Sequence, residues 1–165
     1  DVAVISLGGI AASRSIKVGG DAFDESIVNH MKKAHNLLIG KNTAEDIKIK
    51  IGSVSSYDGE GAMDVKGRNL TDGLPKSVEI TSAEIRDVLA EPVSKIIAAI
   101  KETLEVTLPE LAADIIDRGI YLAGGSSQLR GLPELISKET KMQVHIPEKP
   151  LDCVALGTSI KLRRA

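Results

Sequence analysis

Apolar positions along the chain follow two rhythms, and the exchange between them predicts a mixed α/β protein. Asp1 to Leu7 is apolar at odd and even positions alike, the pattern of a strand covered on both faces. A Gly8-Gly9 turn leads into Ile10 to Val18, predicted to fold back as a hairpin with Arg14 and Lys17 facing out. After Gly19-Gly20 the spacing changes to threes and fours. Phe23, Ile27, Met31, Ala34 and Leu38 make one stripe of a helix, capped by Asp21 and ended by Gly40. Thr43 is predicted to cap a shorter helix that carries Ile47 and Ile51 and stops at Gly52. From Ser53 to Ser77, Gly59, Gly61, Gly67 and Gly73 punctuate short alternating pieces such as Met63-Asp64-Val65-Lys66. That texture predicts a small antiparallel meander.

Thr81-Ser82-Ala83-Glu84 reads as a capping box, in which the Thr oxygen and the Glu carboxylate satisfy reciprocal backbone donors. The helix it starts runs through Ile85 and Leu89 to Pro92, which breaks it or begins the next. Val93, Ile96, Ile97, Ile100 and Leu104 form a further stripe. Pro109 opens another helix, with Leu111, Ile115 and Ile116 turned inward and Gly119 closing it. Strand and helix then alternate: Ile120 to Ala123, a Gly124-Gly125-Ser126-Ser127 turn, a helix from Leu132 to Thr140, Val144 to Ile146, and a helix capped by Asp152 running to Leu162. A hairpin first and strand–helix alternation last imply a mixed sheet covered by helices, with a lobe inserted from about Ala34 to Glu91. Because its first residues already read as a core strand, the chain is expected to be cut from a longer protein.

Composition narrows the function classes. Of 165 residues, 42% are apolar and 27% charged, which excludes a disordered chain. A net charge of -2, with two Tyr and one Phe, leaves neither a basic face nor stacking platforms for nucleic acid. The single Cys153 excludes an internal disulfide and reads as a small buried hydrophobe at the head of a helix. The run Ile96-Ile97-Ala98-Ala99-Ile100 is far too short to cross a bilayer. His30 and His35 fall on different sides of a helical wheel and His145 lies on a distant strand, so metal-ligand spacing is missing. Ser126 and Ser127 are outside any Gly-x-Ser-x-Gly context. No catalytic residue and no metal ligand is assigned.

Two strand-to-helix junctions carry paired glycines: Gly19-Gly20, followed by Asp21, and Gly124-Gly125. Such junctions let backbone approach a phosphate or sugar closely, and equally well make tight turns with no ligand. Neither fits the Gly-Lys-Ser/Thr phosphate loop or the dinucleotide Gly-x-Gly-x-x-Gly pattern. Glu45 and Lys48 share one helix face. A carboxylate there can accept ribose hydroxyls while the Lys stem covers a base edge and its ammonium stays solvated. On the residues alone, a surface ion pair between the two is the favoured reading.

A longer correspondence goes further. Asp1 through Ile10, Ser13 through Asp21, Leu38 to Gly40, Thr43-Ala44-Glu45 with Lys48 and Ile51-Gly52, Pro109 to Leu111, Asp114-Ile115, Arg118 to Ile120, Gly124-Gly125 through Leu132, and Pro150-Leu151 with Cys153 to Ala155 and Gly157 resemble the second half of the MreB family of bacterial actin-like cell-shape proteins. The resemblance covers the whole chain. It implies domain II of an actin-like ATPase, an α/β fold with a ribonuclease H-like mixed sheet covered by helices. Subdomain IIA would be residues 1–29 and 91–165, and the small inserted α+β lobe, subdomain IIB, residues 30–90.

By the same resemblance the cofactor is ATP with Mg2+, bound in a cleft between two domains. Glu45 is the expected ribose acceptor and Lys48 lines the base, with Asp46 and Ile47 on the same helix. Gly124, Gly125, Ser126 and Ser127 form the adenosine turn, and Gly19, Gly20 and Asp21 line the cleft. The family's Thr-Gly-Gly-Gly reads here Ala123-Gly124-Gly125-Ser126, adding a Cβ and a hydroxyl at the third glycine. The family's phosphate loops and water-positioning residues are not in these residues, so the chain alone is not expected to hydrolyse ATP. Implied partners are further copies in a filament, the cell-wall elongation machinery and, through the other domain, the inner face of the bacterial cell membrane. Two alternatives stay open: half of another member of the actin, hexokinase and heat-shock chaperone superfamily, such as a sugar kinase, or an interaction module that binds no nucleotide.

Overall fold

A computed structural model describes residues 1–162. The chain divides into two compact units, one of Lys17–Ile96 with Leu129–Gly131, the other of Asp1–Ile16, Ile97–Gln128 and the chain from Leu132 onward. Strand pairs of both directions occur, with helices between them, so the mixed α/β class holds.

In the Lys17–Ile96 unit, α1 (Gly20–Ala34) buries Phe23, Ile27 and Met31 completely, one residue per turn on a single stripe. The helix ends earlier than its stripe suggests. His35 is its C-cap and Asn36 takes φ 53, a left-handed conformation that Asn tolerates better than most residues. Leu37–Leu38 therefore becomes strand β3 instead of a last helical turn. Gly40 begins α2 (Lys41–Ile51) instead of ending α1, and Thr43 lies inside that helix, with Ala44, Ile47 and Ile51 buried. Gly19, with extended backbone, stands at the N-cap of α1, so Asp21 is a first-turn residue and no cap.

The meander is present as an antiparallel sheet in the order β3, β4 (Ala62–Asn69), β5 (Pro75–Thr81). Val65 pairs with Val78 and Met63 with Ile80, and Val65 and Ile80 supply its buried face. A Cβ on Gly67 would stand 2.5 Å from the Leu38 carbonyl oxygen, so only glycine lets β3 approach β4 this closely. Next comes α3 (Ser82–Glu105), which runs unbroken through Pro92. Proline's fixed φ suits a helix, and the lost hydrogen bond is offset by one continuous buried stripe of Ile85, Leu89, Val93, Ile97 and Ile100. Half of the expected capping box forms: the Glu84 N–H donates to Thr81 Oγ1 at 3.2 Å, while the Glu84 carboxylate turns elsewhere.

In the other unit, β1 (Val2–Ser6) and β2 (Gly9–Arg14) form a hairpin in which Ser6 faces Gly9. The two-residue turn is Leu7-Gly8, both at positive φ, one position before the expected Gly8-Gly9. Its outer face is open: Ile5 and Ile10 are each 71% exposed, so the strand is not covered on both sides. Pro109 opens α4 (Pro109–Arg118) at its first turn, as the sequence predicts, but Ile116 faces out. Parallel strands β6 (Ile120–Tyr121) and β7 (Val144–His145) flank α5 (Leu132–Thr140), which buries Leu132 and Ile136. Cys153 heads α6 (Cys153–Leu162), half-buried instead of buried, with its thiol 3.3 Å from the Lys149 carbonyl oxygen. Among the described residues no helix is long and apolar enough to cross a membrane.

Candidate functional site

Two lysines of α2 pair with acids near the start of α1. Lys41 Nζ lies 2.8 Å from Asp21 Oδ1, on the surface. Its hydrogen bond and charge hold the Asp21 carboxyl below the ordinary carboxylate range, and Asp21 in turn raises the Lys41 ammonium. Lys48 reaches inward. Its Nζ sits 2.7 Å from Asp24 Oδ1 and 3.3 Å from the Gly20 carbonyl oxygen, with the Asp24 side chain 4% exposed and that of Lys48 15%. The ammonium is therefore not solvated, and its partner is Asp24, not Glu45.

Sequence reasoning passed over Asp24, although a signal was there. It stands three residues before Ile27 on the flank of the apolar stripe, where an acid stays charged only if something pairs with it. Once Lys48 is committed to Asp24, Glu45 is left exposed, and its carboxylate makes no ion pair or hydrogen bond among the described residues. Asp46 is also exposed, whereas Ile47 is completely buried and its side chain belongs to the core. Gly19 has open space where a Cβ would point, and Gly20 contributes its carbonyl to Lys48. Asp21 and Asp24 at the start of α1 are each balanced by a lysine of α2.

The second glycine turn is described on its own terms. Gly124 sits at φ 85, and its N–H donates to the Pro150 carbonyl oxygen at 2.7 Å. Residues Gly125–Gln128 form one turn of 3-10 helix. The Ser127 hydroxyl is buried and donates to the Gly124 carbonyl oxygen at 2.6 Å, closing the turn from inside. Ser127 is thus a structural member of the turn. A Cβ on Gly124 would meet nothing within 4 Å, and one on Gly125 would meet Leu151 Cδ2 at 3.3 Å. Bare backbone at Gly124, with open space above it, is a surface on which a flat ring or a sugar can rest.

Comparison with known proteins adds what geometry alone does not. The family model described as MreB/Mbl protein matches residues 1–165. The chain is 46% identical over 162 residues to the cell shape-determining protein Mbl of Bacillus subtilis, covering 98% of this chain and 49% of that protein. It is 45% identical over 157 residues to the cell shape-determining protein MreB of Escherichia coli, covering 95% and 45%. Its fold superposes on crystal structures of MreB5 of Spiroplasma citri bound to ADP and to AMPPNP with TM-scores of 0.92 and 0.91, at 42% identity. Those matches cover 96% of this chain and 48% and 47% of the solved ones. The chain spans about half the length of the curated relatives it matches.

Proposed function

The chain belongs to the MreB/Mbl family of actin-like, cell shape-determining proteins, and from that premise we propose that it supplies the adenosine wall of an ATP site in a filament-forming cytoskeletal protein. The observation that carries this reading is the Glu45 carboxylate, exposed and, among the described residues, unpaired, one turn before a lysine locked to Asp24. Glu45 accepts the ribose hydroxyls, an acceptor-only group matched to two donors. Lys48 is a positioning residue: its ammonium ties α2 to the start of α1, and its stem lines the base. The bare backbone at Gly124 and Gly125 is assigned to the adenosine as well, with Ser126 beside it. Gly19, Gly20 and Asp21 border the cleft.

When bound, ATP with Mg2+ would supply the phosphoryl chemistry, and none of these residues is assigned to the metal. On this reading residues 30–90, within the Lys17–Ile96 unit, make up subdomain IIB, and residues 1–29 with 91–165 subdomain IIA. The parent protein polymerises on ATP at the inner face of the bacterial cell membrane and guides the cell-wall elongation machinery. Support comes from the nucleotides in the MreB5 structures and from the shape-determining role in the names of its relatives.

Calorimetric titration with ATP and Mg2+ tests the site, on a longer chain supplying the other half of the family's length. Glu45→Ala is expected to weaken binding roughly 10- to 100-fold, the loss of a hydrogen-bonded charged acceptor, with the unfolding midpoint unchanged. Unaltered affinity would remove the ribose role.

A further inference from the structure

Three side chains that the sequence keeps apart meet in the Lys17–Ile96 unit, away from the residues assigned to nucleotide. His30 Nε2 lies 2.6 Å from Glu84 Oε1, and His35 Nε2 lies 2.5 Å from the same oxygen. The two imidazoles meet edge to face with ring centroids 5.8 Å apart. On an ideal helix, residues five apart differ by roughly 140° around the axis, which is why their spacing hides the pair. His35 is not on the helix. It is the C-cap, at φ -111 and ψ -2, and there its ring swings to the side occupied by His30. Lys76 Nζ, 3.3 Å from the His35 carbonyl oxygen, ties the same corner to β5. Glu84 comes from the first turn of α3, whose backbone Thr81 already caps, leaving the carboxylate unneeded there.

The geometry points to a binding site for a divalent transition-metal ion, with His30, His35 and Glu84 as its three protein ligands. All three ligand atoms lie within 4.8 Å of one another. Two imidazole nitrogens and one carboxylate oxygen are the donor set that suits Zn2+, and three protein ligands leave a fourth tetrahedral position for water or an incoming group. Hard cations such as Mg2+ and Ca2+ prefer all-oxygen shells and are disfavoured. The ligands already converge, so loading needs little movement. Zinc bonds of about 2.1 Å place neighbouring tetrahedral donors about 3.4 Å apart, so Glu84 must retreat by roughly 0.8–0.9 Å. A rotation of the carboxylate achieves that. Side chains about one quarter exposed, 26%, 23% and 26% for His30, His35 and Glu84, give the ion a path from solvent. Bound metal would staple the end of α1 to the start of α3 across a chain separation of 54 residues. This proposal is independent of the nucleotide reading.

Calorimetry of the chelator-treated chain with ZnCl2 alone tests it. One site per chain is expected, with MgCl2 giving none. His30→Ala and His35→Ala should each weaken it by more than the roughly 10–100-fold that loss of a mere outer partner causes. His145→Ala and Cys153→Ser should leave it unchanged. A second measurement avoids variants altogether: diethylpyrocarbonate labelling of the unsubstituted chain, read by mass spectrometry. Zn2+ should protect His30 and His35 while His145 stays reactive. Equal labelling with and without Zn2+, absence of a saturable site, or a site lost with His145→Ala would each overturn the assignment.

Discussion

The Lys17–Ile96 unit keeps most of its large apolar side chains dry, with Ile49, Leu70 and Leu74 as exceptions, while the unit built from both ends of the chain wears many of them outside. Phe23, Ile27, Met31, Leu37, Ile47, Ile80, Ile85 and Leu89 are all fully buried in the first. In the second, Ile5, Ile10, Ile116, Tyr121, Val154, Leu156 and Ile160 are all exposed, and neither α4 nor α6 has a buried residue. Sheet architecture accounts for much of this. A three-stranded sheet with helices packed on it closes around its own core, whereas two separate two-stranded pairs do not. Ionic groups divide less cleanly, and only the buried pair sets the units apart. Asp24 and Lys48 sit inside one unit, while Arg14 with Glu102 and Lys101 with Glu139 lie on the surface of the other. The buried charge pair belongs to the closed unit, while exposed pairs such as Lys41 with Asp21 and Lys101 with Glu139 occur in both.

The sharpest way to break that contrast is to hollow out one unit and then trim the other. Phe23→Ala should cost about 3–5 kcal/mol in urea unfolding. Val154→Ala, at a side chain 77% exposed, should stay within about 0.5 kcal/mol. Comparable losses would mean that α6 is packed in solution.

Next in size is the buried pair. Lys48→Met leaves Asp24 charged and unpartnered, a loss on the order of 3 kcal/mol, and adding Asp24→Asn should recover part of it. No recovery in that double-mutant cycle would show that the pair is not coupled.

Glycines sharpen the comparison on a smaller scale. Gly67→Ala drives a Cβ into the Leu38 carbonyl and should cost roughly 1–3 kcal/mol by overpacking. Gly124→Ala meets open space and bears only the strain of its φ of 85, about 1–2 kcal/mol. Hydrogen exchange should place the two effects in different units.

The smallest effect is expected to be the same in both. Arg86 hydrogen-bonds Glu60 in one unit and Lys101 hydrogen-bonds Glu139 in the other, and each lowers its partner's carboxyl pKa. A carboxyl lowered in the folded state contributes stability above its ordinary pKa and loses it as pH falls through the lowered one. Both pairs are exposed, so acid titration of Glu60→Gln and Glu139→Gln should show slight, salt-sensitive differences from the parent. A large, salt-resistant effect at either position would contradict the exposure of that pair.

How far the sequence reaches can be judged residue by residue. Local order was legible wherever neighbours in the chain are neighbours in space. The Phe23–Ile27–Met31 stripe and Pro109 at the head of α4 rest on contacts within a few residues, and the β4–β5 hairpin of the meander on consecutive strands. Errors began where a backbone dihedral or a distant partner intervened. Asn36 at positive φ ended α1 before its apolar pattern ran out. Pro92 failed to break α3 because packing on both sides of it held the helix together. Lys48 shared a helix face with Glu45 yet turned to Asp24, a residue on another helix.

By itself, the sequence determined the α/β class, the helix periods, the two glycine junctions and membership of the MreB/Mbl family, because each is written in short-range spacing or in matched residues. Only the tertiary structure decided which carboxylate Lys48 neutralises and that His30, His35 and Glu84 converge on one point. Those choices depend on the path of the chain between distant residues, and a charge or an imidazole bonds to whatever the fold brings within about 3 Å of it.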